Sequence, residues 1–204
     1  MSSVRIRHSL PFKPLKSQWF LCFWAFAIGR KNHKIGRVVE TMSANKFKIF
    51  KEITIGGSSK EQLLKRLSEA GIQFNKYAPM LFDQPQFSPP LAIEKVKLVK
   101  ISLADLKLSE TCSVSEFLNR ASELGLKMCP LYLAAFLRLE YLDQPEGPYL
   151  TVASLKPIDD ESFPNGFYLR NFENTLWLRG YRADGFADWP GSNEFIFIAK
   201  DHLL

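Results

Sequence analysis

Cys129 has the type and position of a candidate nucleophile. It precedes Pro130 at the predicted start of a short apolar helix, and a thiol at a helix N-terminus can have a lowered pKa. A cysteine nucleophile also needs a base, and the only histidine after residue 41 is His202, close to the C-terminus. A buried structural cysteine is therefore favoured, and a small hydrolase-type enzyme with a site near Cys129 stays open as the alternative.

Acidic residues offer a second site for an enzyme of that type. Asp143, Asp184 and Asp188 lie in predicted loops. Carboxylates that bind a metal or act as an acid–base pair come in sets with a recognisable spacing, which these three lack. The sequence therefore predicts no metal site and no cofactor, and it leaves the catalytic residues of the alternative unassigned.

The stretch Thr54–Gln62, TIGGSSKEQ, places a Gly-Gly turn between a predicted strand and a predicted helix. Backbone N–H groups at such a turn can hold an anion. The stretch lacks the GxxxxGK[ST] spacing of a P-loop and the GxGxxG of a dinucleotide site. Ser58 with Glu61, or Ser59 with Gln62, instead predicts a capping box. A turn before a capped helix is favoured, and nothing supports an ATP-driven activity.

Alternating side chains in GFYLRNF and TLWLRGY predict a β-hairpin. With a two-residue turn at 173–174, Tyr168 faces Arg179 and Arg170 faces Trp177. One side of the hairpin then carries apolar residues for the core, namely Phe167, Leu169, Leu176 and Leu178. The other side, called the aromatic–arginine face below, consists of Tyr168, Arg170, Phe172, Trp177, Arg179 and Tyr181.

The aromatic–arginine face has two interpretations. Arginines that face aromatic rings across strands form cation–π pairs, which stabilise a solvent-facing sheet. The same side chains could form a stacking platform for a base, a sugar or a partner peptide, with the arginines for anionic groups. Trp189, in the loop after the hairpin, would then lie over the face. We predict a binding or interaction module on this basis, with a protein or a small ligand as its unidentified partner.

The order of elements predicts the fold class. Helices come early in the chain and strands come late, which indicates a single α+β domain with a mixed or antiparallel sheet and a C-terminal β-meander. Helices are predicted at about 59–70, 75–81, 114–124 and 130–137, and strands at about 47–55, 94–102, 137–142, 149–155, 166–172, 175–181 and 193–200.

Positive charge is confined to the start of the chain. The net charge is +6, but residues 1–41 carry eight lysines and arginines against Glu40 alone, whereas the rest carries 19 against 20 acidic residues. Residues 42–204, the predicted domain, are thus close to neutral. Nucleic-acid binding is not favoured for them, because it depends on excess positive charge.

Residues 1–41 form a basic and hydrophobic leader. Its ten apolar residues from Trp19 to Ile28 are too few for a spanning helix of about 20, and no small-residue cleavage site follows them. Codons for Ser3–His8, SVRIRH, can also spell the T-arm of a transfer RNA gene. A mis-assigned start, with translation from Met42, or a disordered segment is favoured over a targeting segment. A membrane-tethered protein is expected only if the leader is genuine.

Three stretches of the domain resemble a family of small uncharacterised bacterial proteins. They are ASELGLKMCP (121–130), LRLEYLDQPEGPYLTVASLKPI (137–158) and LWLRGYRADGFADWPGSNEFIFI (176–198). The resemblance covers about residues 49–198 and implies no catalytic residues. Some members are labelled helicases, although this chain has no helicase motifs.

The three cysteines of the chain cannot all pair and have no metal-ligand spacing, so a soluble, cytoplasmic protein is expected.

Overall fold

Residues 47–109, 112–182 and 193–199 are described by a computed structural model of the chain. These residues form four helices and eight strands. The helices are α1 (Lys60–Glu69), α2 (Ala78–Phe82), α3 (Val114–Glu123) and α4 (Leu133–Glu140). The strands are β1 (Ile49–Ile55), β2 (Gln73–Phe74), β3 (Glu94–Ser102), β4 (Leu126–Lys127), β5 (Leu150–Val152), β6 (Gly166–Phe172), β7 (Thr175–Tyr181) and β8 (Glu194–Ala199).

The strands form one mixed sheet in the order β1-β3-β8-β5-β6-β7-β2, and β4 pairs with the end of β8. The β5–β8 and β2–β7 pairs are parallel, and the other pairs are antiparallel. The described residues thus form the predicted single α+β domain. A C-terminal meander was expected from the strands at 166–172, 175–181 and 193–200, and the structure forms one from β5, β6 and β7. β8 does not extend it, because this strand lies between β3 and β5 at the centre of the sheet.

Two capping boxes fix where α1 and α3 begin. The Ser59 hydroxyl accepts the Gln62 N–H, and the Gln62 side chain accepts the Ser59 N–H at 2.9 Å. Ser113 and Glu116 form the same pair of bonds at the start of α3. These bonds satisfy N–H groups that would otherwise lack partners in the first helical turn. Ser59 is therefore the cap among the two predicted alternatives for α1, and Ser113 is the cap of α3.

The strand predicted at 137–142 is wrong. α4 continues to Glu140, and every side chain from Leu133 to Arg138 is buried. A helix that is buried on all sides has no polar face, so periodicity cannot distinguish a short apolar helix from a strand. The helix packs against α1 and against the sheet at β1, β6 and β7.

β3 separates two hydrophobic clusters. Leu98 belongs to the larger cluster, which α1, α2 and α4 cover. Val99 and Ile101 belong to the smaller cluster, where Phe117 of α3 lies 4.8 Å from Phe195 between ring centroids. Among the described residues, none in β6 or β7 belongs to the smaller cluster. α3 therefore covers only the part of this sheet surface near β3 and β8.

Gly180 allows the segment before α2 to approach β7. A Cβ atom at this position would lie 2.7 Å from the Tyr77 Cβ and 2.9 Å from the Tyr77 carbonyl carbon. The Asn75 side chain donates to the Gly180 carbonyl at 2.8 Å and accepts the Gly180 N–H at 2.9 Å. A side-chain amide thus continues the pairing with β7 where the two-residue strand β2 ends.

Candidate functional site

The hairpin of β6 and β7 has the predicted register. Tyr168 pairs with Arg179, and Arg170 pairs with Trp177. The turn residues 173–174 have φ angles of 51° and 56°, which is the left-handed conformation that a two-residue type I′ turn requires. Local turn chemistry therefore determines which side chains share a face.

The two faces of the hairpin differ in burial. Phe167, Leu169 and Leu178 are buried in the larger cluster. The side chains of the aromatic–arginine face are half-buried, except for Phe172, which is 40% exposed. This face lies on the sheet surface that α3 leaves uncovered, and its partial exposure makes it accessible to a ligand.

Each arginine of the face lies between two aromatic rings. The Arg170 Cζ is 4.8 Å from the ring centroid of Tyr149 and 4.4 Å from that of Phe172. The Arg179 Cζ is 5.8 Å from the ring centroid of Tyr168 and 5.2 Å from that of Trp177. These distances are within the range of cation–π attraction. Cations and rings therefore alternate across the face.

Tyr149 is a site residue that the sequence did not reveal. It lies directly before β5, and its ring is 5.2 Å from that of Tyr168 in an edge-to-face arrangement. A strand was predicted at 149–155, but its pairing with β6 could not be inferred. The chain between β5 and β6 is long and has no turn motif that fixes a register. The only available signal was that Tyr149 and Thr151 are two residues apart, so that a strand places both side chains on the same face.

The two arginines make ring contacts but no hydrogen bond or ion pair with any described residue. The Nε atoms of Arg170 and Arg179 and the Nε1 atom of Trp177 are buried without a partner there. All three atoms belong to N–H groups that can only donate. Leaving such a donor buried and unpaired costs about 1–3 kcal/mol. The face thus carries two positive charges with no matching acceptor among the described residues, and its three unpaired N–H groups are enclosed by their neighbours.

The tyrosines of the face do not add negative charge. Burial raises the pKa of Tyr168, although the positive charge of Arg179 acts in the opposite direction. Burial also raises the pKa of Tyr181. Both hydroxyls are therefore neutral at physiological pH, and the two guanidinium groups determine the charge of the face.

Three sequence candidates lie outside the described residues. These are Trp189, which was expected over the face, and the two acidic residues Asp184 and Asp188. The surface considered below consists of the six hairpin residues together with Tyr149.

Cys129 is buried in the larger cluster, with 3% of its surface exposed. Its thiol donates to the Ile196 carbonyl at 3.4 Å, and its backbone N–H donates to the Ala153 carbonyl at 2.7 Å. Burial raises the pKa of the thiol. α4 begins only at Leu133, so the expected helix N-terminus does not lie at the cysteine. These features favour a packing role over that of a nucleophile.

Asp143 is exposed, but the loop that it begins has a structural function. The next residue, Gln144, is buried and accepts a hydrogen bond from the Arg138 Nη1 at 2.6 Å. Gln144 also donates to the Leu169 carbonyl at 3.3 Å, and its own carbonyl accepts from the Asn171 side chain at 2.8 Å. The loop therefore connects the end of α4 to β6.

Arg138 is the most deeply buried charged residue of the described chain, with no exposed surface. Burial lowers its pKa to about 10, so it remains charged at physiological pH. It donates to the Tyr141 carbonyl as well as to Gln144. This network could not be predicted from the sequence, because an arginine at the end of an apolar helix usually reaches solvent.

The Gly-Gly turn before α1 leads into a capped helix, as predicted. The Ser59 hydroxyl accepts the Gln62 N–H and donates to Glu61, and Lys60 forms an ion pair with Asp83 at 3.3 Å. A shallow groove of about 440 Å³ lies beside this ion pair and is lined partly by Phe87. The Gly57 N–H also donates to the Pro90 carbonyl at 3.2 Å, so one backbone donor of the turn and the two side chains beside it are engaged by the chain itself.

The described residues contain no group of three or more His, Cys, Asp or Glu side chains that could hold a metal ion. Within the same part of the chain, every helix is too short or too polar to cross a membrane.

Comparison with protein-family models, curated proteins and solved structures finds no match to this chain. The resemblance of residues 49–198 to uncharacterised bacterial proteins stays a prediction.

Proposed function

We propose that the chain is a bacterial, cytoplasmic binding module whose aromatic–arginine face binds a partner through an anionic group. The observation that carries the proposal is the pair Arg170 and Arg179. Both are half-buried among aromatic rings, and neither has an acceptor among the described residues. A cytoplasmic location is supported by the free thiols of Cys112 and Cys129.

The energetics of the face support binding over a purely structural role. A cation–π contact at a partly exposed site contributes about 0.5–1 kcal/mol. The unpaired donors of Arg170, Arg179 and Trp177 cost about as much or more. These three N–H groups are themselves enclosed, so the groups that a partner's acceptors would meet are the Nη atoms of the two arginines, which also have no acceptor among the described residues.

The chemistry of the face defines the kind of partner. Guanidinium and indole N–H groups donate and cannot accept, so the partner must present acceptor oxygens. Guanidinium forms its strongest hydrogen bonds with carboxylate and phosphate. Residues 42–204 are close to neutral, so the proposal concerns a local anionic group and not general binding of nucleic acid.

The enzyme alternative has less support. Cys129 is buried, and its thiol donates a hydrogen bond to the Ile196 carbonyl. Asp143 is exposed, and no group of acidic side chains forms around it among the described residues. Asp184 and Asp188 lie outside the described residues. A nucleophile or an acid–base pair needs accessible groups within hydrogen-bonding reach of each other, and neither candidate supplies them.

Capture of the partner with matched variants tests this proposal. The full chain is tagged and purified from bacterial cells beside R170Q/R179Q, which removes both positive charges of the face. A control, R66Q/K48Q, removes two charges from exposed positions elsewhere. We expect mass spectrometry to find a metabolite or protein with the wild type and the control but not with R170Q/R179Q. Equal recovery with all three proteins would contradict the proposal.

A further inference from the structure

We infer that the ligand of the aromatic–arginine face is a compact oxyanion carried on a planar ring, which is the chemistry of a nucleoside monophosphate. This inference rests on the proposed function and adds the class of ligand. It follows from the charge of the face, from the acidic residues at its hairpin-turn end and from its flat side chains.

The charge of the face matches one phosphate monoester. Arg170 and Arg179 each carry a positive charge and have no carboxylate partner among the described residues. A phosphate monoester carries a charge of about −1.5 to −2 at neutral pH, whereas a single carboxylate would leave one guanidinium uncompensated. The two arginines are diagonal neighbours in the hairpin register, with Cβ atoms about 7 Å apart. Both side chains can therefore reach the same phosphate.

Acidic side chains limit the length of an anion at this face. At the hairpin turn, the Glu146 carboxylate accepts the Glu173 N–H at 2.8 Å, and both glutamates are exposed. At the other end, directly after Tyr181, the Arg182 side chain donates to the Glu161 backbone carbonyl at 3.3 Å, so this end carries a positive charge beside the exposed Glu161. An acidic peptide or a nucleic-acid strand that continued past the hairpin turn would meet the Glu146 and Glu173 carboxylates and be repelled. A compact anion held by the arginines would not extend that far.

The rings of the face favour a planar group on the ligand. Guanidinium planes and aromatic rings alternate from Tyr149 through Arg170 to Phe172, whose ring is 40% exposed. A purine or pyrimidine ring can stack on such groups without a specific hydrogen-bond pattern. Inorganic phosphate would pair with the two guanidinium groups, but it would leave the aromatic rings exposed to water.

Calorimetric titration of the full chain tests the inference. The probes are the common nucleoside 5′-monophosphates, the matching nucleosides, ribose 5-phosphate, inorganic phosphate, a 12-residue oligothymidylate and a glutamate-rich peptide. We expect at least one monophosphate to bind, and its nucleoside and ribose 5-phosphate to bind at least about tenfold more weakly. R170Q and R179Q should each weaken binding by about tenfold or more, and R66Q should not.

Two further variants separate lost contacts from lost folding. Circular dichroism is recorded for each protein, and R170K/R179K replaces the glutamine variants if these do not fold. It keeps both charges but loses the bidentate geometry that guanidinium offers to phosphate, so weaker binding is still expected. W177F keeps a ring but removes the Nε1 donor, and a loss smaller than that of R170Q is expected.

The outcomes distinguish this inference from the proposed function. Inorganic phosphate that binds as tightly as every monophosphate would overturn the requirement for a ring. The oligothymidylate or the peptide could instead bind tenfold more tightly than any monophosphate, through the same arginines. That result would overturn the inference that the ligand is compact, but it would leave the proposed binding face intact. If no probe binds in an arginine-dependent way, the inference is wrong, and the capture experiment decides the proposed function separately.

Discussion

At the scale of single residues, partner groups distinguish structural side chains from candidate binding side chains. Arg138 is fully buried, and its two Nη atoms have acceptors within the chain, although its Nε atom has none. Arg170 and Arg179 are less buried and have no acceptor among the described residues. Residue type alone could not show this difference, because it depends on which carbonyl and amide groups the fold brings near each guanidinium.

Gln144 should be important for stability. Replacing it with alanine would leave the buried Arg138 guanidinium without one of its two acceptors, so we expect Q144A to lower the free energy of unfolding by about 2–3 kcal/mol. Q86A, which removes one exposed hydrogen bond to the Pro157 carbonyl, is the control and should cost less than about 1 kcal/mol. Urea denaturation followed by circular dichroism measures both. Equal effects of the two variants would contradict the role of the network.

The Cys129 thiol should be unreactive in the folded chain. Its burial and raised pKa leave very little thiolate, which is the form that reacts with iodoacetamide. We expect peptide mass spectrometry at pH 8 to find Cys129 unmodified in native protein and modified after addition of urea. Rapid modification of Cys129 in the native chain would instead support the enzyme alternative.

At the scale of elements, local chemistry predicted more than periodicity did. The capping box of α1 and the register of the β6–β7 hairpin follow from side chains a few residues apart, and both predictions are confirmed. The predicted strand at 137–142 is wrong because α4 is apolar on all sides. The central position of β8 depends on pairing with β3 and β5, which are distant in sequence and leave no local signal.

The hairpin turn should be sensitive to residue 174. Asn174 has a φ angle of 56°, and a side chain other than Gly, Asn or Asp costs roughly 1–2 kcal/mol in this conformation. We expect N174A to lower the free energy of unfolding by about 1 kcal/mol and N174G to leave it unchanged or to raise it. Thermal denaturation compares the two variants. A more stable N174A than N174G would contradict the type I′ turn.

At the scale of the whole molecule, helices cover the two sheet surfaces unequally. α1, α2 and α4 pack over the larger cluster, whereas α3 packs over β3 and β8 and leaves the outer surface of β6 and β7 to the aromatic–arginine face. The hairpin part of this site was predictable, because turn and register are local. The contribution of Tyr149 and the absence of acceptors near the arginines were not predictable from the sequence. They depend on how β5 pairs with the hairpin and on how far α3 extends over the sheet.

Hydrogen–deuterium exchange tests the central claim most directly, because it locates a bound ligand on the chain. Exchange of the full chain is measured with and without the small-molecule fraction of a bacterial extract. We expect slower exchange in β6, β7 and the segment around Tyr149, and no such change in R170Q/R179Q. Protection confined to the groove beside Lys60 and Asp83, or protection that persists in R170Q/R179Q, would contradict binding at the aromatic–arginine face.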